Sequence, residues 1–245
     1  MTSTPDSDGG APHHHVEPHH GSVANKLNWL RASVLGANDG IVSVAGIVVG
    51  VAAATAERGP VFTAGIAGLA AGALSMAVGE YVSVSTQRDT ERAMIQVERQ
   101  ELNLQPEVEL DELTGLYEAR GLAHETAVEV AEELTAHDPL AAHAEVELHI
   151  DPEELTNPWQ AAISSAVSFT AGAILPLIAI LVPPPSVRIL VTVFAVLIAL
   201  AITGWVSARL GGANPVRPTL RVIVGGALAM AITFGIGHLV GAAVA

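Results

Sequence analysis

Three side chains set in apolar sequence pose the chemical question: Asp39 in GANDGIVSVAGIVVG, and Met76 and Glu80 in GALSMAVGEYVSVSTQ. From Val61 to Gly79 the chain carries no charge, and Glu80 follows Met76 by one helical turn. An acid inside a membrane span costs about 3 kcal/mol and is retained where it performs a function, so a transport role is expected for Asp39. The competing readings are a capped or broken helix start at Asn38-Asp39-Gly40 and, for Met76, packing filler. Hard carboxylate oxygens with one soft thioether suit Fe²⁺ or a neighbouring first-row ion better than Ca²⁺ or Mg²⁺. Asp39 lies eight residues inside Arg31 and Glu80 eight inside Arg88. Helical rise then puts each ~12 Å from its charged flank, with Met76 ~6 Å deeper. On this count the two carboxylates share a depth near one face.

A second set of candidate ligands follows. Beyond Gln87 charges crowd in (Arg88, Asp89, Glu91, Arg92, Glu98, Arg99, Glu101) with no glycine or proline before Pro106. One long helix is therefore expected to leave the bilayer and continue into water. Residues 105–157 read as a soluble insert of three short helices, over 107–121, 124–136 and 139–149, parted by Gly121 and by Asp138-Pro139. Acids recur at helical spacing: Glu98 with Glu101, Glu109 with Glu112, Glu129 with Glu132 and Glu133. Spacing of i, i+3 places both carboxylates on one face, and facing helices can then enclose ions as carboxylate metal bundles do. Taken singly, each glutamate reads as solvated surface. The collective excess is harder to dismiss, because 19 of the 25 acids lie between Arg88 and Thr156 against four arginines.

The elements that must position these groups follow from composition. Half of the 245 residues are hydrophobic and only 15% charged, which is membrane-protein territory. The net charge of −14 excludes a nucleic-acid partner and fits a domain that attracts cations. With no cysteine there is neither a disulfide framework nor a thiolate metal site. Residues 1–27 read as a His-rich unstructured tail without the apolar core of a signal peptide, and 28–87 as membrane spans one and two. Residues 88–156 form the acidic helical metal-binding domain, continuous with span two, and 157–245 carry spans three to five. His13, His14, His15, His19 and His20 could hold a transition metal loosely, but a solvated low-complexity tail is preferred. The fold class is thus an all-α membrane protein: five transmembrane helices with a cytosolic helical metal-binding insert between spans two and three. With the amino terminus inside, nine basic residues fall on the inner side and only Arg58 and Arg188 on the outer. That places the acidic insert in the cytosol and the carboxyl terminus on the far side. Trp29, Trp159 and Trp205 then fall at the inner interface.

GANDGIVSVAGIVVGV, GALSMAVGEYVSVSTQRDTE and NPWQAAISSAVSFTAGAILPL together resemble the three signature stretches of the vacuolar iron transporter family. The resemblance covers the chain from about Asn28 to its end. It implies a five-span homodimer that exports Fe²⁺, often also Mn²⁺, from the cytosol in exchange for protons. Asp39 and Met76 match the family's pathway aspartate and methionine, and Glu80 matches the acid of the second signature. The family's cytosolic metal-binding glutamates land on Glu98, Glu101, Glu109 and Glu112. One departure stands out. Where a relative reads His-Met-Met-Val-Glu-Glu, this chain reads His143-Ala144-Glu145-Val146-Glu147-Leu148. Glu145 and Glu147 offer oxygens in place of thioethers, a harder site that keeps Mn²⁺ in contention.

The expected function is transport of Fe²⁺ or Mn²⁺ out of the cytosol by proton antiport, for metal detoxification and homeostasis. No prosthetic group and no enzymatic activity are expected, and the membrane is taken to be a bacterial plasma membrane. Divalent ions, protons, lipid and a second copy are the expected partners. The alternative is a membrane-anchored metal buffer or sensor, which would not need Asp39 and Glu80 inside its spans. A membrane oxidoreductase with a carboxylate-bridged metal pair ranks last, since the ExxH element of such sites is missing.

Overall fold

The computed structural model describes residues 20–152 and 155–244, with side chains from Ala32 onward; the histidines of the first 19 residues lie outside the described part. Helix α1 (His20–Ala54) begins within the segment read as tail and runs unbroken through Asn38-Asp39-Gly40. The expected alternative of a broken helix start there is not what forms. Helix α2 (Arg58–Leu104) spans 47 residues. At helical rise that is ~70 Å, more than twice the ~30 Å hydrocarbon thickness, so its second half must lie outside any bilayer.

Four short elements follow: α3 (Pro106–Ala119), α4 (His124–His137), α5 (Pro139–His143) and a π-helical turn over Ala144–Leu148. The sequence reading joined the last two as one helix. Instead the α-helix widens after five residues and stops at His149, whose left-handed φ of 57° ends the helical path. Asp138 caps α5 by accepting from the Ala141 amide at 3.0 Å. Helices α6 (Pro158–Leu181), α7 (Arg188–Leu210) and α8 (Val216–Val244) complete the chain. Asn157 starts α6 by accepting from the amides of Trp159 and Gln160, which satisfies two otherwise orphaned donors. No strand occurs among the described residues. Helices α1, α6, α7, α8 and the first half of α2 are long and apolar enough to cross a membrane.

Helix α6 packs against α1, α2 and α7, while α1 also meets α8. Small residues set this geometry. A Cβ on Gly40 would strike the Phe169 carbonyl, and one on Gly172 would strike the Ala37 carbonyl, so the α1 and α6 backbones touch where glycines face them from both sides. Phe169 then reaches across to lie against Gly72 of α2, inside a core with Val44, Val48, Val61, Ala173, Leu177 and Ile180.

Arg188, counted by sequence as an outer-interface charge, is only 1% exposed. Its guanidinium donates to the carbonyl oxygens of Thr55 at 2.6 Å and Ala56 at 3.2 Å. These two carbonyls lie just past the end of α1, and a third bond at 3.5 Å reaches Ala52 O in its last turn, where the helix dipole also favours a cation.

Because backbone faces backbone at the α1–α6 crossing, Gly172→Val should cost ~2 kcal/mol or more and lower the melting temperature by several degrees. Gly225→Ala, with open space around its Cβ, should leave melting unchanged or raise it slightly. Thermal unfolding in detergent checks both; equal melting of the two variants contradicts the close crossing.

Candidate metal centre and membrane polar groups

Within the spans, Asp39 is half-buried and accepts a 2.7 Å hydrogen bond from Ser43 Oγ one turn on. Its neighbour Asn38 turns to another helix, accepting from Thr203 Oγ1 of α7 at 2.6 Å. Met76 is half-buried against the Phe169 core. Glu80, also half-buried, precedes Tyr81, whose ring lies 4.8 Å from that of Trp159 in the first turn of α6.

These contacts set a register different from the one counted along the chain. Gly40 abuts Phe169, whose ring abuts Gly72, so Asp39 stands level with the Gly72–Met76 stretch of α2. Glu80 lies one to two turns nearer the start of α6, where Trp159 sits. Equal depth for the two carboxylates assumed that Arg31 and Arg88 mark the same plane, whereas the contacts through Phe169 pair Gly40 with Gly72.

Some 18 residues further along α2, a ~27 Å rise, a denser site forms. Four elements each contribute one side chain: Glu98 from α2, Glu109 from α3, His143 from the end of α5, and Glu147 from the π-helical turn. The chain reverses at Gln105, whose amide still bonds to Glu101 O while Pro106 opens α3, so Glu98 and Glu109 come to face each other. A small core of Leu113, Ala131, Ala142 and Val146 holds α3, α4 and α5 against this corner. One ligand atom each from Glu98, Glu109 and His143 lie within 4.8 Å of one another. Nδ1 of His143 is 3.0 Å from Glu98 Oε1, 3.5 Å from Glu147 Oε2 and 3.9 Å from Glu109 Oε2.

Electrostatics make this corner costly without a cation. Glu98 is 3% exposed and Glu109 6%. Burial first, then the charges of Glu147, Glu109, Glu101 and Glu112, push the Glu98 carboxyl up to about 7. Glu109 is raised as well, mainly by burial and next by Glu112, with His143 acting against the rise. The carboxylates are thus held where ionisation is resisted unless another cation joins them.

The sequence-predicted ligands divide. Glu98, Glu109 and Glu147 converge; Glu101 and Glu112 are exposed, near enough to add negative potential at Glu98. Glu145 is exposed, on the outer side of the π-helical turn. His143 did not figure among the predicted ligands. The available signal was its i, i+4 spacing to Glu147 within an acidic segment.

The VIT family profile matches residues 30–238, a range that includes every side chain named above from Asp39 to Thr203. The vacuolar iron transporter of Acanthamoeba castellanii is 48% identical over 221 residues, covering 90% of this chain and 82% of that protein. Vacuolar iron transporter homolog 1 of Oryza sativa subsp. japonica is 41% identical over 217 residues, covering 88% and 75%. Vacuolar iron transporter homolog 2.1 of Arabidopsis thaliana is 37% identical over 219 residues, covering 89% and 84%.

The raised Glu98 sets two linked pH effects. A folded value of about 7 against an ordinary 4.5 means the ligand-free fold binds the extra proton. That contribution to stability is full below pH 4.5 and is lost as pH rises through 7. Divalent-ion affinity should run the other way, weakening up to about tenfold per unit as pH drops below 7, because each bound ion must displace that proton. Titration calorimetry from pH 8 to 5.5 checks this, and Glu98→Gln should flatten the slope; an unchanged slope in that variant contradicts the assignment.

Proposed function

We propose that this chain, which belongs to the VIT family, carries Fe²⁺ across a membrane. The observation that carries the reading is a continuity: the helix holding Met76 and Glu80 in the apolar layer is the same unbroken helix that holds Glu98 in the buried acidic cluster. One rigid element thus joins a place that can concentrate a divalent cation to polar groups along a membrane span. The names of the relatives, vacuolar iron transporters and their homologs, support iron as the cargo. Iron here is substrate rather than prosthetic group, and the chain is a transporter rather than an enzyme. Mn²⁺ is the second candidate cargo.

In this reading residues 88–156 form a cytosolic metal-binding domain. Glu98, Glu109 and Glu147 capture the ion, and Glu101 and Glu112 draw it in through their negative potential. The ion then passes along α2 to Glu80, Met76 and Asp39. Protons entering from the far side compete for a pathway carboxylate, most directly Asp39 or Glu80, since a protonated carboxylate is a poor ligand. The ion is released there, giving proton antiport and removal of excess metal from the cytosol. The bias of nine basic residues to two supports a cytosolic amino terminus and insert. The apolar half of α2 is the least covered of the five spans, with 11% of its apolar stretch buried, and a second copy against this face would put the pathway at the seam of a homodimer. We place the protein in a bacterial plasma membrane, where the same reaction is efflux.

Separating capture from passage tests the scheme. In proteoliposomes Asp39→Ala should reduce Fe²⁺ flux to the protein-free leak. The pair Glu109→Gln with Glu112→Gln should raise the half-saturating Fe²⁺ concentration about tenfold or more while keeping a substantial maximal rate. Wild-type flux in Asp39→Ala, or unchanged saturation in the glutamate pair, contradicts the corresponding role.

A further inference from the structure

The acidic cluster contains one donor that is not an oxygen, and it is the most enclosed of the four. His143 is 0% exposed, and neither of its ring nitrogens has a hydrogen-bond partner. Its Nδ1 stands 3.0 Å from Glu98 Oε1 yet outside hydrogen-bond geometry, and that oxygen is itself buried without a partner, as is Glu147 Oε2. Leaving one such group unpaired costs about 1–3 kcal/mol, and several pointing into one space call for a common occupant. Around an octahedral ion with ligand bonds near ~2.1 Å, adjacent donors are ~3.0 Å apart and opposed donors ~4.2 Å. From Nδ1, Glu98 at 3.0 Å stands at the adjacent spacing, Glu109 at 3.9 Å is near the opposed one, and Glu147 at 3.5 Å lies between.

We propose that His143 is a direct ligand, through Nδ1, of the ion held by Glu98, Glu109 and Glu147, and that this nitrogen sets the ion preference of the site. The proposal rests on the capture role assigned above and adds selectivity to it. A set of carboxylates alone accepts Mg²⁺, Ca²⁺ and Mn²⁺ readily. An imidazole adds most to ions later in the first-row series, so it ranks Fe²⁺ above Mn²⁺ and both above Ca²⁺ and Mg²⁺. The two thioethers of the relative fall on Ala144 and Glu145 here, which hardens this stretch in sequence terms. The buried imidazole shifts the site back towards Fe²⁺, and Glu145 stands outside it. Glu147 Oε2 stands 3.5 Å from Nδ1 of His143 within a π-helical turn, a local irregularity of the kind that recurs at functional sites.

The test uses the full chain in detergent loaded with one equivalent of Mn²⁺. Pulsed electron paramagnetic resonance of the wild type should show nitrogen modulation of a directly bound imidazole, and His143→Gln should lose it. In parallel, His143→Gln should weaken Co²⁺, an air-stable stand-in for Fe²⁺, by about tenfold or more and Mn²⁺ by a smaller factor, so the Co²⁺-to-Mn²⁺ preference falls. The wild-type spectrum does not depend on the variant folding. Bound Mn²⁺ that Glu98→Gln weakens but that lacks the nitrogen signal overturns the role of His143 and leaves capture standing. A nitrogen signal that persists in His143→Gln overturns it likewise. Mn²⁺ binding unchanged in a Glu98→Gln, Glu109→Gln double variant overturns the capture reading and, with it, this proposal.

Discussion

Like charge enclosed away from water is the constraint on which the rest of this structure turns. At separations under 4.8 Å, two carboxylates repel by about 3.5 kcal/mol at an effective dielectric of 20, and burial penalises each of them again. Glu98 answers by holding its proton up to about pH 7. A divalent cation answers better, since it supplies two positive charges to the same space and removes the need for the proton. The helices beyond the membrane exist in a form that keeps this conflict unresolved: α2 supplies Glu98, the reversal at Gln105 brings Glu109 opposite, and the packed corner of Leu113, Ala131, Ala142 and Val146 prevents α5 from swinging away.

The membrane half follows a different physics, that of close backbone approach. Glycines 40 and 172 let α1 and α6 touch, and Phe169 passes the contact on to α2 at Gly72. Gly40, next to Asp39, is thereby linked to Gly72 of α2. Polar side chains pair between helices along the same layer, Asn38 with Thr203 and Ser33 with Ser164. Such pairs satisfy groups that lipid cannot and fix the rotation of α1, so that Asp39 and Asn38 address different neighbours.

Much of this was legible in the sequence. Five apolar stretches and the helix running on past Gln87 are local signals, and local signals survive folding. The recurring glutamate pairs pointed to α2 and α3 without saying which member of each pair turns inward. Positions i and i+3 sit about 60° apart around a helix, so packing decided that Glu98 and Glu109 turn inward while Glu101 and Glu112 stay outside. His143 belonged to no repeating pattern. Its place depends on α5 ending after five residues and on a π-helical turn that no propensity announces. The burial of Arg188 was illegible for a related reason: a charge near a span end reads as exposed until the carbonyls that receive it from another part of the chain are known.

The central claim is that one helix links a cation-concentrating cluster to a route through the membrane. Its most direct test is purified protein in liposomes under an imposed pH gradient, following Fe²⁺ and Mn²⁺ entry together with lumenal pH. The account predicts metal entry accompanied by opposing proton movement, faster for Fe²⁺ than for Mn²⁺. Metal that binds stoichiometrically without crossing would contradict it and would make the protein a membrane-anchored buffer or sensor.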